Sequence, residues 1–392
     1  MTDLMQRERP QGGRAGTYVR QPGGYSAFVP EPLPPSPPLR MAPNLVGALS
    51  SADLALGRLD GAALTLPDPD LFVGMYVRQE AVLSSQIEGT QASLTDLLQL
   101  ELWDEGGPPD VREVVNYVDA MNHGLGRLSE LPLSLRLVRE IHARLMAGVR
   151  GGNREPGEFR TSQNWVGAPG STPNTATYIP PPPTVVPVAL ASLERFWHER
   201  ELPALIRAGL AHAQFETIHP FRDGNGRVGR LLITFMLCSE GVLMRPLLYL
   251  SHYFKSHRAQ YYESLQAVRD EGRWEEWLTF FLRGVEEVAN EATSTARAIV
   301  VLRDADWTQI RSEGLAATNL MRLLDLLFRQ PIVSAAYVRD RLGVRYQTAN
   351  ELIERLVAKG ILNETTGQKR NRRFAYKNYL ALFPSAQPQP IQ

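Results

Sequence analysis

The sequence predicts a mainly α-helical protein: a helical core interrupted by one β-hairpin flap, followed by a C-terminal winged-helix domain. Three observations carry that expectation. Apolar residues recur at helical spacing over about 46–148 and again over about 184–305. Residues 149–183, between those stretches, are dense in Gly, Pro, Asn and Thr. From about residue 318 the chain reads as three short helices and a basic two-stranded element, the winged-helix pattern.

Each element can be justified in order. Residues 1–45 are rich in Pro, Gly and Arg, and "FVPEPLPPSPPL" cannot form a helix, so an arm extended over a surface is expected, its first residues mobile. A helical region over 46–110 contains "DLFVGMYVRQEAVLSSQIEG". It places Phe72, Tyr76, Leu83 and Ile87 on one stripe, with Gly89 where a helix would end. A core is expected over 111–290. It begins with the amphipathic stretches "DVREVVNYVDAMNHGLGRL" and "SLRLVREIHARLMAGV". The pieces "QNWVG" and "TATYIP" then suggest an irregular hairpin. "VVPVALASLERFWHER", "ALIRAGLAHAQFETIH" and "RVGRLLITFMLCSEG" resume helix, the last ended by Gly241. A connecting helix over 291–315 leads to the winged helix at 316–383 and a tail at 384–392.

Composition narrows the function classes. The 392 residues carry 42 Lys+Arg and 42 Asp+Glu, so no global charge points to nucleic acid or a membrane. That neutrality hides an asymmetry: residues 318–383 hold 12 Lys+Arg against 5 Asp+Glu, and the remainder 30 against 37. Cys238 is the one cysteine, expected to be a buried small apolar group, and one chain can form no disulfide framework. The first residues are polar, and no apolar run approaches the ~18 residues of a membrane span. These readings place the chain in the cytoplasm, without a membrane partner.

The stretch "HPFRDGNGRVGR" at 219–230 concentrates chemistry. Its glycines let the loop turn tightly and bare backbone N–H groups, which meet the positive end of the next helix. That is an anion site, and phosphate suits it. Arg227 and Arg230, three apart on the first helical turn, share a face and can fork onto phosphate oxygens. Asp223 supplies a lone carboxylate of the kind that holds Mg²⁺ beside phosphates. His219 can serve as a general base near neutral pH. The combination describes phosphoryl or nucleotidyl transfer to a hydroxyl. There is no G-x-x-x-x-G-K-[ST] loop and no H-E-x-x-H, and none of the seven histidines has the neighbours of a zinc ligand. His212 carries no motif and reads as structural.

This stretch matches the H-x-F-x-[DE]-G-N-G-R-x-x-R signature of Fic-domain proteins at every fixed position. "SSQIEGT", "GEFRTSQNWVG", "YIPPPP" and the basic tail resemble the long bacterial Fic proteins with an N-terminal inhibitory helix. The resemblance implies transfer of AMP from ATP to Tyr, Thr or Ser hydroxyls of proteins, this chain included. It makes His219 the base and Asp223 the Mg²⁺ ligand. Gly224, Asn225 and Gly226 form the anion hole, Arg227 binds the phosphates and Arg230 the γ-phosphate, with Val228 and Gly229 between them. Phe221 is a buried plug, and Val166 and Gly167 belong to a flap that holds the target peptide. Tyr262, with Tyr261, lines the nucleotide. Ser84, Glu88 and Gly89 form the inhibitory segment, with Glu88 pairing with Arg230. Two other readings stay open: a DNA-binding regulator with a nucleotide-sensing core, and a transferase with another nucleotide donor. In the tail, Gln347, Thr348 and Asn350, with Arg370, Arg372 and Arg373 on the wing, are candidates for DNA contact; such modules also serve as dimer surfaces, so a homodimer is the other partner the tail allows.

Overall fold

Helices dominate the computed structural model, which describes residues 13–64, 69–100, 102, 107–149, 154–168, 170–311 and 317–383. The readings of a mobile chain start and of a tail at 384–392 fall outside the described residues. In order come β1 (Gly16–Arg20), β2 (Ser26–Pro30), α1 (Pro43–Leu64), α2 (Pro69–Ile87), α3 (Leu94–Leu100), α4 (Pro109–Arg127), α5 (Leu135–Leu145), α6 (Val186–His198), α7 (Ala204–Ile218) and α8 (Asn225–Ser239). Then follow α9 (Ser251–Ser256), α10 (Arg258–Glu271), α11 (Trp274–Arg311), α12 (Ala317–Arg329), β3 (Ile332–Val333), α13 (Ala335–Leu342), α14 (Tyr346–Ala358), β4 (Asn363–Glu364), β5 (Phe374–Ala375) and α15 (Lys377–Leu380). Among the described residues no helix is long and apolar enough to cross a membrane.

Two compact units divide the chain. One comprises Met1–Leu56, Asp119–Met244 and Leu250–Glu287; the other comprises Gly57–Val118, Arg245–Tyr249 and Val288–Gln392. In the first unit α7 is the central element, with every residue from Leu205 to Ile218 buried. A helix buried all round needs small residues where neighbours approach, and Ala208, Gly209, Ala211 and Ala213 supply them. A Cβ on Gly209 would lie 2.8 Å from Leu278 Cδ2. Its one deep cation, Arg207, is satisfied by Glu240 and by the carbonyls of Trp197 and Leu202.

The extended arm proves to be partly folded. β1 and β2 pair antiparallel from Gly16↔Pro30 to Arg20↔Ser26. Gly16 has φ +149°, and a Cβ there would sit 2.2 Å from the Val29 carbonyl oxygen, so only glycine fits. The hairpin is tied down by Arg14 to Glu275, Tyr18 to Asp270, and the Glu31 carbonyl to Gln214. Conversely, among the described residues the hairpin expected at 149–183 shows one antiparallel bridge, Val166↔Tyr178. The prolines at 180–183 remove ladder donors, and side chains do the holding instead. Cys238 is half-buried rather than buried.

In the second unit the stripe Phe72, Tyr76, Leu83 and Ile87 is buried as expected. Tyr76 donates to the Ala292 carbonyl, and Phe72 packs edge-on to Phe328 at 5.3 Å. α2 ends at Ile87, so Glu88 lies in the turn beyond it, not on the helix face of Ser84. Ser84 is buried, Glu88 and Gly89 are exposed, and Gly89 takes φ +97°. The C-terminal part carries the expected three helices α12, α13 and α14. Its sheet has the order β3-β5-β4, all antiparallel, with β3 and α15 as elements the sequence did not announce.

Candidate active site

The stretch 219–230 forms a loop from the end of α7 to the start of α8. His219 caps α7 in the left-handed region, φ +50°, and Gly224 precedes α8 at φ +76°. For a non-glycine residue that conformation costs on the order of 1–3 kcal/mol, so the surroundings must hold it. They do so through the loop's carbonyls. Tyr178 Oη donates to Thr217 O. Arg160 donates through its guanidinium to Ile218 O (3.3 Å) and His219 O (2.9 Å), and through its backbone N–H to Pro220 O (2.8 Å). Asn164 Nδ2 donates to His219 O (3.3 Å) and Phe221 O (2.9 Å). His142 Nε2 donates to Asp223 O at 3.1 Å.

With those carbonyls engaged from one side, the N–H groups at the start of α8 are left for the other. Asn225, Gly226 and Arg227 occupy the first turn, whose N–H groups have no intrahelical acceptor. Asn225 does more than contribute an amide. Its side-chain oxygen accepts from Phe221 N and its Nδ2 donates to Phe221 O, both at 2.8 Å, closing the loop on itself. Phe221 is fully buried, as expected of a plug, stacked on His142 at 3.7 Å and 4°.

His142, which no motif marked, is the strut behind this loop. Its Nδ1 accepts from Gly157 N at 2.8 Å, which leaves Nε2–H to serve Asp223 O and fixes the neutral tautomer. Burial pulls its pKa down to about 4. Burial likewise lowers Arg160 to about 10, still protonated at neutral pH. Arg160, Asn164 and Tyr178 also escaped the sequence reading. Their signal lay in "GEFRTSQNWVG" for Arg160 and Asn164 and in "TATYIP" for Tyr178, legible as a flap but not as a clamp on the loop.

Charge gathers at the loop. Asp223 Oδ1 accepts from Gly224 N (2.7 Å), and Oδ2 stands 3.6 Å from Arg154 Nη1, with the side chain 36% exposed. Arg227 is buried, its Nη2 3.9 Å from Asp223 Oδ1, and Arg230 is buried one turn on. Val228 is buried, and a Cβ on Gly229 would lie 2.4 Å from Glu216 Oε1 and 3.3 Å from Phe215 Cδ1, so a larger residue there would displace the Glu216 carboxylate. A cleft of about 420 Å³ beside the loop is lined by Arg154, Ser162, Gln163, Asn164, Trp165 and Arg222. Trp165, Val166 and Gly167 are exposed on the flap. Tyr262 is half-exposed on α10 against Tyr261 and Arg258. Tyr261 is the one turned inward, hydrogen-bonded to His212 Nε2 at 2.8 Å, and His212 is buried and structural as read.

The Fic/DOC family pattern matches residues 132–237, and the family's N-terminal pattern matches residues 46–126. Residues 46–237 of the chain are thus similar to the Fic/DOC family over its N-terminal part and its main domain. The chain is similar to a probable protein adenylyltransferase of Aquifex aeolicus, 28% identical over 179 residues, covering 44% of this chain and 51% of that protein. It is also similar to the protein adenylyltransferase Fic of Culex quinquefasciatus, 31% identical over 195 residues, covering 47% of this chain and 35% of the relative. The chain thus spans about half the length of the first relative and about a third of the second. In structure it resembles a Fic family protein from Desulfovibrio desulfuricans, with a TM-score of 0.58 at 20% identity over 86% of this chain and 97% of that one. That likeness bears on the fold.

Proposed function

We propose that this protein transfers AMP from ATP to a Tyr, Thr or Ser hydroxyl of a protein, itself included. The observation that carries the reading is the loop whose carbonyls are engaged from behind, at the N-terminus of a helix bearing Arg227 and Arg230. Such an arrangement offers N–H groups and cations to phosphates and repels few of their oxygens. Two relatives described as protein adenylyltransferases support the same class.

In this mechanism His219 takes the proton of the accepting hydroxyl. The oxygen bonds to the α-phosphorus as the bond from that phosphorus to the pyrophosphate oxygen breaks. The amides of Gly224–Gly226 and Arg227 hold the phosphates, Arg230 holds the γ-phosphate, and pyrophosphate leaves. Positioning supplies most of the acceleration, since the transferred group needs little covalent help. Asp223 fits Mg²⁺: one carboxylate oxygen is tied to Gly224 N, and the group is partly open. Among the described residues no group of three or more His, Cys, Asp or Glu could hold a metal, so its remaining ligands would be phosphate and water. When bound, Mg²⁺ neutralises charge on the α- and β-phosphates. The cleft edged by Arg154, Arg222 and Trp165 receives the target segment, which pairs along the Val166–Gly167 edge.

The same reading gives Glu88 a restraining role. A carboxylate just past the C-terminal end of α2 is disfavoured by the helix dipole and seeks a cation. Pairing with Arg230 would withhold the partner of the γ-phosphate and leave ATP misplaced for in-line attack.

Incubation with labelled ATP and Mg²⁺ tests the transfer. The protein should acquire AMP, and His219→Ala should lose ~10²–10⁴ in rate while staying folded. A folded His219→Ala protein labelling at the parent rate would remove the base. Labelling by another nucleotide alone would move the reading to a different donor.

A further inference from the structure

The winged-helix part carries a groove separate from the chemistry above. It has a volume of about 820 Å³ and is lined in part by Tyr346, Asn350, Lys369, Arg370, Arg372 and Phe374. One wall is the start of α14. That helix buries Ala349, Leu352, Ile353 and Leu356, and turns Tyr346, Gln347, Glu351 and Glu354 outward. Tyr346 is 53% exposed, and Asn350 follows it by one turn on the same face. The opposite wall is the wing, residues 365–373 between β4 and β5.

Internal bonds decide which wing cations are available. Glu364 closes the turn by accepting from Thr366 N (2.8 Å) and Gly367 N (2.9 Å). Arg372 is held by Glu354 at 2.7 Å, and Arg373 donates to Gln99 at 3.0 Å. Both are only half-exposed, whereas Lys369 and Arg370 stand exposed at the tip. The surrounding residues 318–383 carry 12 Lys+Arg against 5 Asp+Glu.

We infer that this groove binds duplex DNA, with Lys369 and Arg370 on the phosphates and Tyr346 and Asn350 toward the base edges. A duplex meets both halves of the surface. Its backbone suits the cationic tip, an asparagine can pair with adenine, and carboxylates such as Glu351 can accept from a cytosine amino group. An acidic protein segment spread across the groove would instead face Glu351 and Glu354 directly. The arginine ties revise the sequence expectation, which holds Arg370, Arg372 and Arg373 alike as candidates for DNA contact. Two free cations, not three, should govern the salt dependence.

The test is fluorescence polarisation of the full chain with a labelled mixed-sequence duplex of about 30 base pairs, from ~50 to ~300 mM KCl. Binding should weaken linearly in log–log terms. Lys369→Ala with Arg370→Ala should reduce the slope by about two, while Arg372→Ala alone changes it less. AMP self-labelling of the double variant should match the parent, which checks folding and separates this inference from the transferase reading. Absence of binding at the lowest salt, or an unchanged slope in the double variant, overturns it. Displacement of the duplex by poly-glutamate at equal charge concentration would also overturn it and make the groove an acidic-protein surface.

Discussion

His142, His212 and Asn225 illustrate how polar side chains in the core set one loop. Asn225 clips Phe221, and His142 carries the ring of Phe221 and the carbonyl of Asp223. His212 joins Gly229 O to the Tyr261 hydroxyl, and burial takes its pKa to about 3 from an ordinary 6.5. The linkage sign follows. The folded state prefers the neutral ring, so the unfolded chain binds the extra proton. The stability is fully present above pH 6.5 and is lost progressively as pH falls toward 3. Between pH 6.5 and about 5, His212 should remove on the order of 2 kcal/mol. Urea midpoints at pH 7.5 and 5 measure the loss. A His212→Gln protein, which cannot titrate, should lose less over the same interval, and equal losses would exclude His212 as the source. His212 was legible as a core histidine. His142 was not, because it lies 81 residues from the carbonyl it serves and the sequence does not record that pairing.

Among the elements, close helix packing is decided by glycines whose roles look alike in the sequence. A Cβ on Gly124 of α4 would lie 2.4 Å from Cζ of the buried Phe235 ring of α8. Gly57 of α1 is exposed and has nothing within 4 Å. Alanine improves helix propensity at either site by ~1 kcal/mol. At Gly124 overpacking costs ~1–3 kcal/mol and should win. Gly124→Ala should therefore lower the unfolding midpoint and Gly57→Ala raise it. A stabilised Gly124→Ala protein would show that the ring can give way. The flap obeys a different logic from a regular hairpin. Its strands are too broken by proline to pair beyond the Val166↔Tyr178 bridge, and Arg160, Asn164, Tyr178 and the backing β1–β2 hairpin, through Phe28 N to Ile179 O at 3.0 Å, stand in for a longer ladder.

For the whole molecule, the proposed restraint links regulation to chemistry. If Glu88 withholds Arg230 from the γ-phosphate, Glu88→Gly should raise self-labelling by about tenfold or more, the effect of ~1.4 kcal/mol on the transition state. Glu88→Gly combined with Arg230→Ala should show no such gain. Equal labelling by the parent and Glu88→Gly proteins, at matched folding and saturating ATP, would reduce Glu88 to a solvated residue in the turn after α2.

The sequence by itself determined which side chains the loop brings together. His219, Asp223, Arg227 and Arg230 lie within twelve residues across one turn and one helix start, and local geometry alone brings such neighbours together. It also determined the helical class and the three helices of the C-terminal part, because those signals are periodic and short-range. Only the tertiary structure decided what holds the loop in its left-handed turn. Arg160 and Asn164 reach carbonyls 57–59 residues away, and any donor of the right length could have filled those places. It likewise decided that residues 16–30 pair as a hairpin and that Arg372 and Arg373 are tied within their own unit. A backbone carbonyl looks the same in every residue, so its partner is chosen by three-dimensional proximity and leaves no pattern along the chain.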